Sequence, residues 1–139
     1  MCCFFDFSDA FGTVNRSKLT HKLKQHFGIS GNLLLYLINF LSGREARIKV
    51  NHLIGEWLNS DHGTSAGTVL RAILFLTYAH DTPVCIFPKF ADDLASISVA
   101  NDIDKLELCL QKTLDQMAQW ADKWDMSLNT SKTKVYVVW

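Results

Sequence analysis

Three aspartates carry the clearest chemical potential in this chain. Asp92 and Asp93 stand side by side in Lys89-Phe90-Ala91-Asp92-Asp93-Leu94, between two apolar runs. Asp6 interrupts another apolar run, Cys2-Cys3-Phe4-Phe5-Asp6-Phe7. An Asp-Asp pair has a plain use, because Asp tolerates the backbone angles of a hairpin turn. It has a sharper one as a carboxylate pair held for a divalent metal, since like charges this close repel unless a cation joins them. Asp6 admits the same two readings. It is either a structural carboxylate satisfied by Arg or backbone donors, or the third corner of a metal cluster. Such a cluster serves phosphoryl transfer, where two ions roughly 4 Å apart stabilise the attacking and leaving oxygens.

These residues need elements to position them. The opening apolar run reads as a buried strand with one charge, and the flanks of Asp92-Asp93 as two short strands meeting at the pair. Ser17 is a candidate cap for a helix carrying Leu19, Leu23 and Phe27, which Gly28 stops. A second helix is predicted from about Asn32 to Leu41. Ala46–Val50 and Glu56–Leu58 read as a strand pair around Asn51–Gly55. Asp61–Gly67 is a polar loop. Thr68–Ala79 is predicted as a buried helix, because its apolar residues face all round. Ile103–Lys123 is predicted as a long amphipathic helix, with Leu106, Leu110, Leu114, Met117 and Trp120-Ala121 on one stripe. Asn129–Lys134 is a polar turn, and Val135–Trp139 a last strand.

Composition narrows the class. The chain has 139 residues, 48% hydrophobic and 20% charged, enough for one domain with a real core. Lys+Arg and Asp+Glu both number 14, so the global charge points to no nucleic-acid partner. The cysteines, Cys2, Cys3, Cys85 and Cys109, lack metal-ligand spacing and read as reduced core residues of an intracellular protein. The longest apolar run, Ala72 to Ala79, is far below the roughly 20 residues that span a bilayer.

The ordered motifs resemble a known family. Phe5-Asp6-Phe7-Ser8-Asp9-Ala10-Phe11 resembles motif A of reverse transcriptases, in the form found in non-LTR, LINE-like retrotransposons. Phe90-Ala91-Asp92-Asp93 resembles motif C. Val50-Asn51 through Glu56-Trp57-Leu58 is similar to the segment leading into motif B. Trp120-Ala121-Asp122-Lys123-Trp124, with Leu128-Asn129 and Lys132-Thr133-Lys134, resembles the end of motif D.

The resemblance implies an α+β fold over residues 1–139: a polymerase palm, with an antiparallel sheet backed by helices. It implies RNA-directed DNA polymerase chemistry with an RNA template, a DNA primer and deoxynucleotides as partners, and no membrane. It implies that Asp6, Asp92 and Asp93 hold two Mg2+ ions, with Mn2+ as a substitute. Phe11 matches the aromatic gate that blocks a ribose 2′-hydroxyl; it also reads as a plain core Phe. Gly67 matches the motif B glycine, where template and nucleotide approach the backbone. Lys134 or Lys132 matches the motif D lysine, a proton donor to the leaving pyrophosphate; either also reads as a solvated turn lysine.

The chain departs from the family pattern in places. Gly12 stands where a second Asp commonly follows Ala-Phe. Gly63-Thr64-Ser65-Ala66-Gly67-Thr68 has lost the Pro and Gln of Gly-Val-Pro-Gln-Gly-Ser, and Arg71-Ala72 replaces Gly-Pro. Arg71 enters apolar company, which is costly unless it reaches solvent or a phosphate. No fingers or thumb motifs accompany the palm motifs, so the expectation is a truncated or degenerate reverse transcriptase segment with its metal triad intact and inactive alone. Two other readings stay open. One is a catalytically dead nucleic-acid-binding remnant, although Lys18, Lys22, Lys24, Arg44 and Arg47 are interleaved with acids. The other is a small α/β interaction domain.

Overall fold

The computed structural model describes residues 1–64, 67–83 and 94–137. It is built around strand β1 (Cys2–Phe5), which lies between β6 (Leu94–Ile97) and β7 (Lys134–Tyr136) in an antiparallel sheet. The register pairs Phe5 with Leu94 and Cys2 with Ile97 on one side, and Phe4 with Lys134 on the other. Alternation along β1 decides what each face carries. Cys3, Phe5 and Phe7 are buried, whereas Phe4 is half exposed and Asp6 only partly covered. The charge in the apolar run is therefore not buried in the core; it lies on the strand's other face.

Among the described residues four helices accompany the sheet: α1 (Arg16–Gln25), α2 (Gly31–Leu41), α3 (Val69–Tyr78) and α4 (Ile103–Lys123). The core joins Phe5 and Phe7 of the sheet region to Leu19 and Leu23, Leu37 and Leu41, Leu74, Phe75 and Tyr78, and Met117 and Trp120. Phe7 and Trp120 meet with ring centroids 5.8 Å apart, which fixes α4 against the sheet. Full burial of one such side chain contributes about 1.5–3 kcal/mol. α4 has the bounds its apolar stripe predicts, and Leu106, Met117, Trp120 and Ala121 are its buried residues.

Several local expectations change. α1 is capped by Asn15, whose side chain accepts from Lys18 N at 3.0 Å; Ser17 falls inside the first turn. Asn15 also donates to Asp125 at 2.8 Å, a tertiary anchor that local sequence does not show. The helix ends at Gln25, and Gly28 follows with φ +65°, where glycine carries no Cβ penalty. α3 is not buried all round: Val69, Ile73 and Leu76 are exposed, because its packed face is the one carrying Leu74, Phe75 and Tyr78. The predicted strand pair is two short ladders, β2 (Glu45–Ala46) with β5 (Leu58–Asn59) and β3 (Lys49–Val50) with β4 (Leu53–Ile54), all exposed. Cys3 is buried and burial pushes its thiol pKa up, as expected of an inert core cysteine. Cys109 is exposed, however, because it lies off the buried stripe of α4. Cys85 is outside the described residues.

One buried charge needs explaining. Lys22 of α1 is fully buried. Its Nζ donates to Tyr78 O and to Asp81, and lies 3.5 Å from the Trp124 ring centroid. Trp120 Nε1 donates to the same Asp81 oxygen at 2.9 Å. Burial raises the Asp81 carboxyl pKa, but the hydrogen bonds from Lys22 and Trp120 outweigh it and hold it below the ordinary value.

Candidate active site

Asp6 follows β1 directly and is gripped through its backbone. Asn129 N donates to Asp6 O at 2.8 Å, and Asp6 N donates to Thr133 Oγ1 at 3.4 Å. Phe7 bridges to Leu128 beside it. The polar turn before β7 thus clamps the main chain on which the carboxylate rides. The side chain is less satisfied. Asp6 Oδ2 is buried and has no hydrogen-bond partner among the described residues; its nearest cation is Lys132 Nζ at 3.8 Å. An orphaned carboxylate oxygen is costly unless a cation or donor completes it. A hard oxygen donor of this kind suits a magnesium-class ion.

The two candidate lysines separate. Lys132 is the one within ion-pair reach of Asp6, while Lys134 stands across the ladder from Phe4. Both line a shallow, open hollow with Phe4 and Tyr136. Asp92 and Asp93, the other two members of the expected triad, lie outside the described residues, as do Ser65 and Ala66. Leu94, the next described residue, pairs with Phe5.

Phe11 is partly buried on the core, with its ring centroid 4.7 Å from that of Phe75. The guanidinium of Arg71 lies over the Phe11 ring, with its Cζ 4.5 Å from the ring centroid. Its Nε is buried without a hydrogen-bond partner among the described residues. Cation–π contact therefore accounts for a charge amid apolar residues, a signal visible in sequence only as an oddity.

The glycines divide too. Gly63 has φ +81°, and a Cβ there would stand 2.9 Å from Gly12 O and 3.1 Å from Phe11 O. Thr64 N donates to Phe11 O at 3.0 Å, so the start of the motif B-like loop is seated directly on the motif A-like turn. Gly12, in turn, fits because the Asp9 side chain fills its Cβ position, with Asp9 Oδ1 accepting from Gly12 N at 3.2 Å. Gly67 has φ +76° and open space around its missing Cβ.

A strand-borne aspartate, the loop seated on the turn behind it, and the clamp from the segment before β7 bring the three motif-bearing stretches together. The sequence profile described as "Reverse transcriptase (RNA-dependent DNA polymerase)" matches residues 1–138. The chain belongs to the reverse transcriptase family. It is 26% identical over 141 aligned positions to an RNA-directed DNA polymerase from the mobile element jockey of Drosophila funebris. It is 27% identical over 143 positions to a probable RNA-directed DNA polymerase from transposon X-element of Drosophila melanogaster. Each alignment covers 94% of this chain and 15% of the relative, so the chain spans about 15% of the length of these relatives. This reverse transcriptase segment has the mixed α+β fold expected of it, and the resemblance to non-LTR elements holds. Among the described residues, no helix is long and apolar enough to cross a membrane.

Proposed function

We propose that this chain is the palm of an RNA-directed DNA polymerase, in which Asp6, Asp92 and Asp93 hold two divalent ions, Mg2+ with Mn2+ as a substitute. The observation that carries this is the antiparallel pairing of Phe5 with Leu94. In sequence Asp6 follows Phe5 and Asp92-Asp93 precedes Leu94, and the proposal is that the three carboxylates share one site next to this pair. The orphaned Oδ2 of Asp6 supports the same reading from the side of energetics.

Bound ions would supply charge stabilisation for a primer 3′-hydroxyl attacking a deoxynucleotide α-phosphate. The chain's own groups then have defined tasks. The turn 129–133 holds Asp6 in place through its backbone. Phe11, braced by Phe75 and Arg71, closes the space beside the sugar of the incoming deoxynucleotide. Gly67 lets template and nucleotide pass close to the backbone. Lys134 or Lys132 gives a proton to the leaving pyrophosphate, and the proximity of Lys132 to Asp6 favours Lys132. RNA template and DNA primer are the partners.

The test is metal binding by the 139-residue chain. Mn2+ and Mg2+ should raise the melting temperature of the wild type. A concentration one hundred times the dissociation constant corresponds to about 2.7 kcal/mol. Asp6→Asn and Asp93→Asn should each remove most of that gain. Equal metal response in wild type and Asp6→Asn overturns the metal triad. Primer extension by this chain alone is expected to stay at the no-enzyme level, because the hollow lined by Phe4, Lys132, Lys134 and Tyr136 is open and positions a triphosphate weakly. Extension lost in Asp92→Asn would prove that expectation wrong and the polymerase reading right.

A further inference from the structure

A second cluster of ligating side chains lies away from β1, where α1 and α3 end. His26 caps the C-terminus of α1, and His80 and Asp81 follow the C-cap of α3. One ligand atom from each of the three lies within 4.8 Å of the others. We propose that His26, His80 and Asp81 form a binding site for a zinc-class divalent ion, which ties the end of α1 to the end of α3.

The spacing of the two imidazoles is the first argument. His26 Nδ1 and His80 Nε2 are 3.3 Å apart. Two nitrogens bound to tetrahedral zinc at about 2.0–2.1 Å stand about 3.3–3.4 Å from each other. The tautomer is the second. His80 Nδ1 is 3.0 Å from Thr77 O, a carbonyl that accepts only, so Nδ1 carries the proton and Nε2 presents its lone pair to His26. An imidazole whose far nitrogen donates to a backbone carbonyl is the usual outer arrangement of a metal-bound histidine. Asp81 is held likewise, by the hydrogen bonds of Lys22 and Trp120 Nε1 to Oδ1. Phe27 braces the His80 ring edge-on, at 4.7 Å between centroids.

Electrostatics favours a cation here and selects its class. Both helices bring their C-terminal, partly negative ends to the site. The Lys22 ammonium shares the Asp81 carboxylate, which weakens its pull on an ion and leaves most of the binding to the imidazoles. That balance favours zinc, nickel or copper over magnesium or calcium. The two histidines and Asp81 are all at least partly accessible, so an ion can enter and water can complete its coordination.

The experiment uses the 139-residue chain, stripped with chelator and kept reduced. Addition of Zn2+ should raise the melting temperature with one equivalent bound, and Mg2+ should not reproduce the shift through this site. Co2+ should give the visible bands of a tetrahedral nitrogen–oxygen site without thiolate charge-transfer bands, which excludes the cysteines as ligands. His26→Gln and His80→Gln, both at exposed positions, should each abolish the cobalt bands and the zinc shift while circular dichroism stays that of the wild type. Asp6→Asn should keep both, which separates this site from the proposed polymerase metals. No zinc shift, thiolate bands, or a shift unchanged in both histidine variants would overturn the site and reduce the pair to a hydrogen bond.

Discussion

Lys132 Nζ lies 3.8 Å from Asp6 Oδ2, an ion pair beside β1 in which the lysine side chain is 70% exposed and the aspartate 28%. The lysine therefore contributes little to stability and competes with any ion at Asp6. Lys132→Ala is expected to change unfolding free energy by less than about 1 kcal/mol. It should also tighten Mn2+ binding several-fold in a thermal-shift titration, with Lys134→Ala as the neutral comparison. Weaker Mn2+ binding in Lys132→Ala would show that the lysine helps to build the site instead of standing in for the ion.

Lys22 makes the opposite case. Its side chain is fully buried, and its charge is divided among Asp81, the Tyr78 carbonyl and three aromatic rings. Removing one partner of a buried pair costs about 3–5 kcal/mol, and the 25% exposure of the Asp81 side chain puts this case at the lower end. Lys22→Met should lower stability by about 3 kcal/mol in urea unfolding. A loss below 1 kcal/mol would mean that the ammonium is worth no more there than a thioether.

Gly63 and Gly67 share a positive φ but not their surroundings. An alanine in the left-handed region costs about 1–2 kcal/mol in either place. Only at Gly63 would the new methyl also meet backbone, at 2.9 Å from Gly12 O. Gly63→Ala should therefore destabilise distinctly more than Gly67→Ala when chemical denaturation of the two is compared. Equal losses would mean that the turn at Phe11-Gly12 yields freely.

Asp125 should show its partners through pH. Its carboxylate is 2.8 Å from Lys18 Nζ and 2.8 Å from Asn15 Nδ2. The Lys18 hydrogen bond holds its pKa below the ordinary value, against the effect of burial and with help from Asn15. A depressed folded-state pKa means that the folded state binds fewer protons than the unfolded state between the two values. The stabilisation is present above the unfolded value of about 3.9 and is lost as pH falls through the folded one. The side chain is 46% exposed, so the effect is under about 1 kcal/mol. The stability difference between wild type and Asp125→Asn should shrink as pH falls below about 4. A difference that is constant from pH 7 to pH 3 would show that the pair does not titrate with folding.

Local pattern was enough for what depends on neighbours in the chain. The 3.6-residue stripe of Ile103–Lys123 set the bounds of α4, since an uninterrupted amphipathic run carries its own period. The apolar run around Phe5 marked the central strand. The order of the aspartates, Phe11, the glycines and the terminal lysines marked the family, because those residue types recur in sequence order. Exposure was less legible. Composition cannot tell a helix apolar on every side from one that packs on a single face, as α3 does.

Tertiary structure alone decided the rest, because it depends on partners distant in sequence. Asn15 caps α1 where Ser17 was eligible, held from the far end of α4 by Asp125. Arg71 rests on Phe11, so the charge that looked misplaced is stacked on the predicted gate. On the side of β1 away from the core, Asp6 keeps an oxygen that has no hydrogen-bond partner among the described residues, a fact of geometry that no residue name contains. His26 and His80 are 54 residues apart and meet only because α1 and α3 end side by side. Chain order supplied the chemical groups; the packing of helices on the sheet around β1 determined which of them share a field, a cation or a proton.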